Sequence, residues 1–133
     1  MARKEVIPGP DVWARYLAGE EEAAARIEDL VAEGSLRILE PVAAEALRGA
    51  GGMEEIAALR ELAADLPPVR EGRAPWLRAG ELAWRLRHEG HGQPSLLDAY
   101  TALVAEGAKA AVWTREPGLR AAARFLGVEV MEG

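Results

Sequence analysis

Short apolar runs alternate with longer stretches of helical periodicity along this chain. The apolar runs at residues 5–8, 36–39, 110–113 and 128–131 have the length and composition of buried strands. Between these runs, apolar residues recur at three- and four-residue spacing, which is typical of helices that pack one face against a core. Strands that alternate with helices in this way predict an α/β protein built around a small sheet.

Proline, glycine and N-capping residues delimit the predicted helices. Asp11 is placed to cap the first of these helices, which ends at Gly19. The other helices are expected at residues 20–33, 41–48, 53–66, 75–89, from Pro94 onwards, and 117–126. The sequence contains no internal repeat, low-complexity tract or linker, so we expect residues 1–133 to form a single domain.

The composition excludes several classes of protein. None of the 133 residues is a cysteine, which excludes disulfides, zinc–thiolate sites and thiol catalysis. No apolar run approaches the roughly 18 residues needed to cross a bilayer, and the N-terminus lacks the apolar segment of a secretory signal. We therefore expect a cytoplasmic protein without membrane association. The formal net charge of −6 argues against a non-specific DNA-coating protein, but it is compatible with an acidic metal pocket that acts on RNA.

Three acidic residues occupy positions where a solvated surface charge is not the only explanation. Asp98 lies in the first turn of the helix after Pro94, where the helix N-terminus favours an ionised carboxylate. Glu45 lies on the third predicted helix, and Glu116 follows directly on the third predicted strand. Because ligands of open α/β sheets bind beyond the carboxyl ends of the strands, these acids are candidate site residues.

Several motifs, in their order and spacing, carry a resemblance to a known family. Residues 79–116 read AGELAWRLRHEGHGQPSLLDAYTALVAEGAKAAVWTRE, a helix ending in Gly, a polar linker, an Asp inside an Ala-rich helix and a strand running into Thr-Arg-acid. Residues 40–50 read EPVAAEALRGA, and the stretch from Pro10 reads PDVWARYLAGE. From about Val6 to Val130, the chain resembles the PIN-domain family and, within it, the small VapC-type toxin ribonucleases.

The first acidic position departs from the pattern of that family. The pattern has an Asp after the first strand, then two small hydroxyl or amide residues, then an apolar–Trp pair. With Val12-Trp13 as this pair, Gly9 stands at the place of the Asp and Asp11 at the third place. The resemblance carries over three acidic site residues, which are Glu45, Asp98 and Glu116. Asp11 is the candidate replacement for the missing first acid.

The resemblance implies a three-layer α/β/α fold with a small, mainly parallel sheet, and an endoribonuclease that uses Mg²⁺ or Mn²⁺. A metal ion held by carboxylates lowers the pKa of its bound water and stabilises charge on phosphate oxygens. The implied catalytic and metal-binding residues are Glu45, Asp98, Glu116 and Asp11. The candidates for contacts with substrate phosphate are Arg48, Thr114 and Arg115. The implied partners are RNA, a small antitoxin protein and a second copy of the chain.

Simpler structural roles are open for several of these residues. Asp11, Glu116 and Thr114 can each cap a helix N-terminus. Glu45 can form an ion pair with Arg48, three residues further along the same helix.

The histidines and tryptophans are interpreted as structural residues. His88 and His91 lie at a Gly-rich helix end, and no third histidine exists to complete a metal site. The four tryptophans are expected in the core or in a dimer contact, and they are Trp13, Trp76, Trp84 and Trp113.

Two other functions are alternatives to the ribonuclease. A degenerate PIN domain would keep the fold and bind RNA or protein without cleaving, and Gly9 favours this reading. A receiver-like or nucleotide-binding domain ranks lower, because the chain has neither paired acids after the first strand nor a Gly-rich phosphate loop.

Overall fold

A parallel sheet forms the centre of the structure, a computed structural model that describes residues 4–69 and 73–133. The sheet contains β1 (Val6–Pro8), β2 (Ala111–Trp113) and β3 (Val130–Met131), which pair in that order. The helices of the described residues are α1 (Pro10–Leu17), α2 (Glu21–Ala32), α3 (Glu40–Arg48), α4 (Met53–Asp65), α5 (Trp76–His88), α6 (Leu96–Ala108) and α7 (Pro117–Phe125). Because both strand pairs are parallel, the chain crosses over through helices between the strands.

The strands β1 and β2 end at the same level of the sheet. Pro8 pairs with Trp113, and the Gly9 N–H donates to the Trp113 carbonyl over 2.9 Å. Every residue of both strands is buried, which is the pattern of parallel strands covered on both faces. The loops that follow β1 and β2 therefore leave the sheet side by side.

The second predicted strand, at residues 36–39, is not a regular strand in the structure. Leu36 forms an isolated parallel bridge with Val6, and Ile38 forms another with Pro68 on its other side. The Val6 carbonyl accepts one backbone hydrogen bond from this segment, over 2.9 Å. The next donor along β1 would be Pro8, which has no N–H, so the pairing stops after one bridge.

Two groups of helices cover the sheet. Helices α1 to α4 pack on one another, while α5 to α7 form the second group, with α6 against β2 and α7 against β3. The three-layer α/β/α arrangement and the small parallel sheet expected from the sequence are confirmed. Within the described ranges, no helix has the length and apolar character needed to span a membrane.

Helix α6 begins later than the sequence analysis predicts, at Leu96 rather than Pro94. The reason is that Ser95 is the N-cap residue. Its hydroxyl accepts a hydrogen bond from the Asp98 N–H over 3.0 Å, and the Asp98 carboxylate accepts one from the Ser95 N–H over 2.9 Å. This reciprocal capping box fixes the start of the helix and the orientation of Asp98 together.

The tryptophans fall into two pairs. Trp13 and Trp113 are fully buried, as expected for core residues. Trp76 and Trp84, both on α5, are 49% and 62% exposed, so neither is a core residue. The sequence analysis expects all four in the core or in a dimer contact, and for Trp76 and Trp84 helical spacing alone does not tell a covered helix face from an uncovered one.

Helix α4 offers a matched test of the core. Leu59 is fully buried, whereas Met53 on the same helix is 75% exposed. We expect Leu59→Ala to lower the free energy of unfolding by about 2–5 kcal/mol, because it removes buried methyl groups and leaves a cavity. Met53→Ala should change it by less than about 0.5 kcal/mol. Urea unfolding of both variants measures the difference, and similar values for the two would contradict this packing of α4.

Candidate active site

The loops after β1 and β2 meet at one end of the sheet. β1 leads through Gly9 into α1, which carries Asp11 in its first turn. β2 leads through Thr114 to Glu116, the residue that precedes α7. The carboxyl ends of adjacent parallel strands are where open α/β sheets bind their ligands. The fold thus brings Asp11 into contact with Thr114, which is 103 positions further along the chain.

Asp11 does not cap α1, so the simpler role considered for it is wrong. Gly9 is the N-cap residue, and no side chain caps this helix. Instead, the Asp11 carboxylate reaches the β2 loop. Its Oδ1 accepts a hydrogen bond from the Thr114 hydroxyl over 2.7 Å, and its Oδ2 accepts one from the Arg115 backbone N–H over 2.8 Å. The β2 loop therefore orients both oxygens of this carboxylate.

Gly9 is surrounded too closely to carry a side chain in this arrangement. A Cβ at this position would lie 2.8 Å from Asp11 Oδ1, 3.0 Å from Leu119 Cδ2 and 3.3 Å from Thr114 Cβ. The φ of Gly9 is −76°, so space rather than backbone conformation favours glycine here. The carboxylate of Asp11 occupies the place into which a side chain at position 9 would project.

Asp98 lies between the N-termini of two helices. It is held by the capping box of α6, and its Oδ2 would be only 2.5 Å from a Cβ placed on Gly118, in the first turn of α7. The missing side chain at Gly118 allows α7 to approach this carboxylate. The partial positive charges at helix N-termini favour a carboxylate in such a position.

Burial raises the pKa of the Asp98 carboxyl above its ordinary value, and the neighbouring charge of Asp11 raises it further. Hydrogen bonding to the carboxyl from the Ser95 backbone N–H and side chain opposes this shift of the pKa but does not cancel it. Asp11 and Asp98 therefore form a pair of acids that are close enough to interact electrostatically. Repulsion within such a pair is relieved by a proton or a cation.

Glu45 lies on α3 and is ion-paired with Arg48, three residues along the helix. This contact lowers the pKa of the Glu45 carboxyl. The ion pair between Glu45 and Arg48 that the sequence analysis considers is therefore present. Both residues also line the same pocket as Asp11 and Asp98. The guanidinium of Arg48 is largely exposed, so it is accessible to a ligand.

The three residues after β2 differ in their environments. Thr114 is fully buried, and besides donating to Asp11 its hydroxyl accepts a hydrogen bond from the Glu116 N–H over 2.9 Å. Its burial leaves no surface for a substrate phosphate, so the structure does not support that predicted role. Glu116 is exposed and is the N-cap residue of α7, but its side chain makes no capping hydrogen bond. The Arg115 side chain is exposed, and its charge acts on Glu20.

The four predicted acids line one pocket of about 700 Å³. These are Asp11 from α1, Glu45 from α3, Asp98 from α6 and Glu116 at the start of α7. Arg48 lines the same pocket, whereas Thr114 and Arg115 are not among its lining residues. The structure thus places carboxylates from four separate elements around a single opening.

A fifth acid in this pocket was missed by the sequence analysis. Glu55, on α4, lines the pocket, and its Oε2 accepts a hydrogen bond from the Gly51 N–H over 3.0 Å. The available signal was its place three residues after the N-cap Gly52, where an acid commonly reaches back to the chain before the helix. This spacing predicts the hydrogen bond between Glu55 and the chain before α4, but it does not predict that Glu55 lines the same pocket as the other acids.

The donors around the pocket suit a hard divalent cation in chemical type. Mg²⁺ and Mn²⁺ prefer carboxylate oxygens, and Mg²⁺ is commonly held by one or two carboxylates together with water and substrate phosphate. Within residues 4–69 and 73–133, no three Asp, Glu or His side chains are grouped closely enough to hold an ion. The chemical type of these donors suits a divalent cation, and Asp11 and Asp98 are the two whose charges act on each other.

Comparisons with known proteins agree with this fold. The family described as PIN domain matches residues 11–125. A structure of FitAB bound to an IR36 DNA fragment is similar in fold, with a TM-score of 0.63 and 17% identity, covering 96% of this chain and 94% of that one. The crystal structure of FitAcB from Neisseria gonorrhoeae has a TM-score of 0.63 and 18% identity, covering 95% and 96%. No curated protein sequence matches this chain.

The hydrogen bond between Thr114 and Asp11 can be tested by a pair of substitutions. We expect Thr114→Val to lower the free energy of unfolding by about 1–3 kcal/mol, because it leaves a partner of the buried hydroxyl unsatisfied. Thr114→Ser keeps the hydroxyl and should recover most of this loss. Urea unfolding of the two variants measures it. Equal stability of the Val and Ser variants would show that the hydroxyl does not anchor Asp11.

The raised pKa of Asp98 predicts how stability depends on pH. A raised folded pKa contributes stability that is fully present below the unfolded value, near 3.8, and is lost as pH rises through the folded pKa. In metal-free buffer, Asp98→Asn should therefore have a higher Tm than the unsubstituted protein at about pH 7. The difference should shrink as pH falls through the folded pKa. Thermal melts followed by circular dichroism measure it, and a difference independent of pH would contradict the assignment.

Proposed function

This chain belongs to the PIN-domain family, and from that premise we propose that it is a Mg²⁺- or Mn²⁺-dependent endoribonuclease of the toxin–antitoxin type. The observation that carries this proposal is the convergence of four carboxylates from four separate elements on one pocket. Such a set of oxygen donors beyond the strand ends suits the hydrolysis of a phosphodiester by metal-activated water. The substrate we propose is single-stranded or loop RNA.

Asp11 and Asp98 would hold the divalent cation in this proposal. When bound, the cation supplies a water of lowered pKa and stabilises the charge on the phosphate oxygens. The protein contributes by fixing the two carboxylates in advance. Thr114 and the Arg115 N–H orient Asp11, while Ser95 orients Asp98. Hydrogen bonds of this kind commonly set the affinity of a metal site.

Asp11 takes the part of the first acid, which the family's pattern places at position 9. Support comes from the crowding of Gly9, whose missing side chain leaves room for the Asp11 carboxylate. In this proposal, the carboxylate of Asp11 in this chain and the Asp that the family's pattern has at position 9 serve the same end of the sheet. A single substitution at Gly9 would not recreate the family pattern, because the new side chain would meet Asp11.

The other pocket residues have supporting roles in the proposal. Glu45 and Glu116 would bind waters of the cation or position the attacking water. Arg48 would exchange its ion pair with Glu45 for a bidentate contact with an RNA phosphate, for which a planar guanidinium is suited. The exposed Arg115 would contact phosphate further along the RNA.

The proposed partners follow from the same family context. We propose that the protein acts in the cytoplasm, is inhibited by a small antitoxin protein and forms a homodimer. One similar structure is described as FitAB bound to a DNA fragment, and this description supports a regulatory complex for this chain as well.

Metal binding and cleavage test the function together. We expect Mn²⁺ at about one hundred times its Kd to stabilise the protein by roughly 2.7 kcal/mol, which raises Tm by several degrees. Asp98→Asn and Asp11→Asn should lose this shift and also the cleavage of single-stranded RNA. Glu61→Gln, which removes an exposed carboxylate outside the pocket, should keep both. Thermal melts and a fluorescent RNA assay, each with and without EDTA, provide the readings.

A non-catalytic PIN domain that binds RNA or protein is the second candidate. The observation that favours it is that the described residues contain no group of three acids or histidines close enough to hold an ion. This candidate predicts RNA binding without cleavage and no change of Tm with Mn²⁺. That pair of results would overturn the ribonuclease proposal.

A further inference from the structure

A small cavity between α1 and α4 adjoins the acidic pocket. It has a volume of about 330 Å³, and its lining residues are Tyr16, Leu17, Glu54, Glu55 and Ala58. Leu17 and Glu55 also line the acidic pocket, so the two share a wall. We refer to this space as the α1–α4 cavity. Its volume is at the small end of the range for ligand sites, which suits a single ring system.

Tyr16 gives the α1–α4 cavity an aromatic wall. Its ring lies at 88° to the ring of Trp13, with centroids 6.3 Å apart. Because Trp13 is fully buried, this contact holds the Tyr16 ring in place before a ligand binds. Tyr16 itself is only partly buried, and Leu17 beside it adds apolar surface. Partly exposed aromatic rings of this kind are where unpaired nucleic-acid bases stack.

Glu54 and Glu55 give the same cavity two carboxylates. Both lie in the first turn of α4, where the helix N-terminus favours negative charge. Glu55 accepts a hydrogen bond from the Gly51 N–H over 3.0 Å. Glu54 is exposed and, within the described ranges, makes no hydrogen bond or ion pair. Its oxygens are therefore available to accept hydrogen bonds from a ligand.

The charge of the α1–α4 cavity selects the part of an RNA that can enter it. Two carboxylates repel phosphate, so a base is favoured there over the backbone. Because a carboxylate only accepts hydrogen bonds, the base has to present donors. Guanine presents two adjacent donors on its Watson–Crick edge, N1–H and the 2-amino group, which one carboxylate accepts together. Adenine and cytosine have an acceptor beside their amino group, and uracil has a carbonyl on each side of its N3–H.

We propose that the α1–α4 cavity binds a guanine base next to the cleaved phosphate of the RNA. The base stacks on Tyr16, and its Watson–Crick edge lies against the Glu54 carboxylate. Glu55 stands at the wall shared with the acidic pocket, which places the base beside the acids of the site. The inference names the base that the proposed ribonuclease recognises, so it rests on that proposed function.

Binding of short RNA strands tests the inference without cleavage. The protein is used as Asp98→Asn in EDTA, and fluorescence anisotropy measures its Kd for a uridine strand with a single guanosine, adenosine or inosine. We expect the guanosine strand to bind at least about 10-fold more tightly than the adenosine strand, as a bidentate contact with a base provides. Inosine, which lacks the 2-amino group, should bind about 5-fold more weakly than guanosine, or weaker still.

A substitution of Glu54 should change the preferred base. Glu54→Gln keeps the length of the side chain and replaces one acceptor by an amide donor, which matches the donor and acceptor of adenine. We expect this variant to lose the preference for guanosine and to bind the adenosine strand more tightly than its parent does. Glu61→Gln removes a carboxylate of the same helix that lines neither the acidic pocket nor the α1–α4 cavity, and it should keep the preference for guanosine.

Two substitutions of Tyr16 separate stacking from the hydroxyl. Tyr16→Leu should weaken binding of the guanosine strand by about 5-fold or more, because it removes the aromatic ring. Tyr16→Phe keeps the ring and should bind as the parent does. Circular dichroism checks that each variant is folded.

Equal binding of the guanosine and adenosine strands overturns the inference, as does a guanosine preference that survives Glu54→Gln. Free GMP that binds as tightly as the guanosine strand would assign the cavity to a mononucleotide and also overturn it. Failure of the ribonuclease proposal gives a different result. An unsubstituted protein that prefers guanosine but cleaves no RNA with Mn²⁺ contradicts the enzyme alone, whereas cleavage without base preference contradicts this inference alone.

Discussion

The contacts of Asp11 with the loop after β2 are the interaction on which the candidate site depends. The Asp11 carboxylate accepts hydrogen bonds from the Thr114 hydroxyl and the Arg115 N–H. The same hydroxyl accepts a hydrogen bond from the Glu116 N–H. This links the start of α1 to the start of α7 across the ends of two neighbouring strands. Among the described residues, no other hydrogen bond orients the Asp11 carboxylate.

Bringing several acids around one opening has an energetic cost that the surrounding structure offsets. Asp98 is stabilised by the capping box and the N-termini of two helices, and Glu45 by its ion pair with Arg48. Glu116, by contrast, is exposed, and its side chain does not cap α7. The site thus combines carboxylates held by hydrogen bonds with an exposed one, an arrangement suited to a ligand that brings its own phosphate oxygens.

Much of the fold could be predicted from the sequence, because proline and glycine mark the ends of elements and buried parallel strands are continuously apolar. The segment at 36–39 could not, since its pairing is limited by a proline on a different strand. The four acids that line the pocket were predictable as candidates, through the family resemblance. The direction of Asp11 and the presence of Glu55 were not, because both depend on how helices pack. The exposure of Trp84 likewise depends on what covers α5, which periodicity does not contain.

Pro8 has a consequence for where the sheet ends. Because it has no N–H to donate to the Arg37 carbonyl, the ladder between β1 and the segment at 36–39 stops there. The next residue, Ile38, faces the other way and donates to the Pro67 carbonyl, and α3 begins at Glu40. Among the described residues the sheet thus stops at three regular strands, and the next acid of the pocket, Glu45, lies on a helix rather than at the end of a fourth strand.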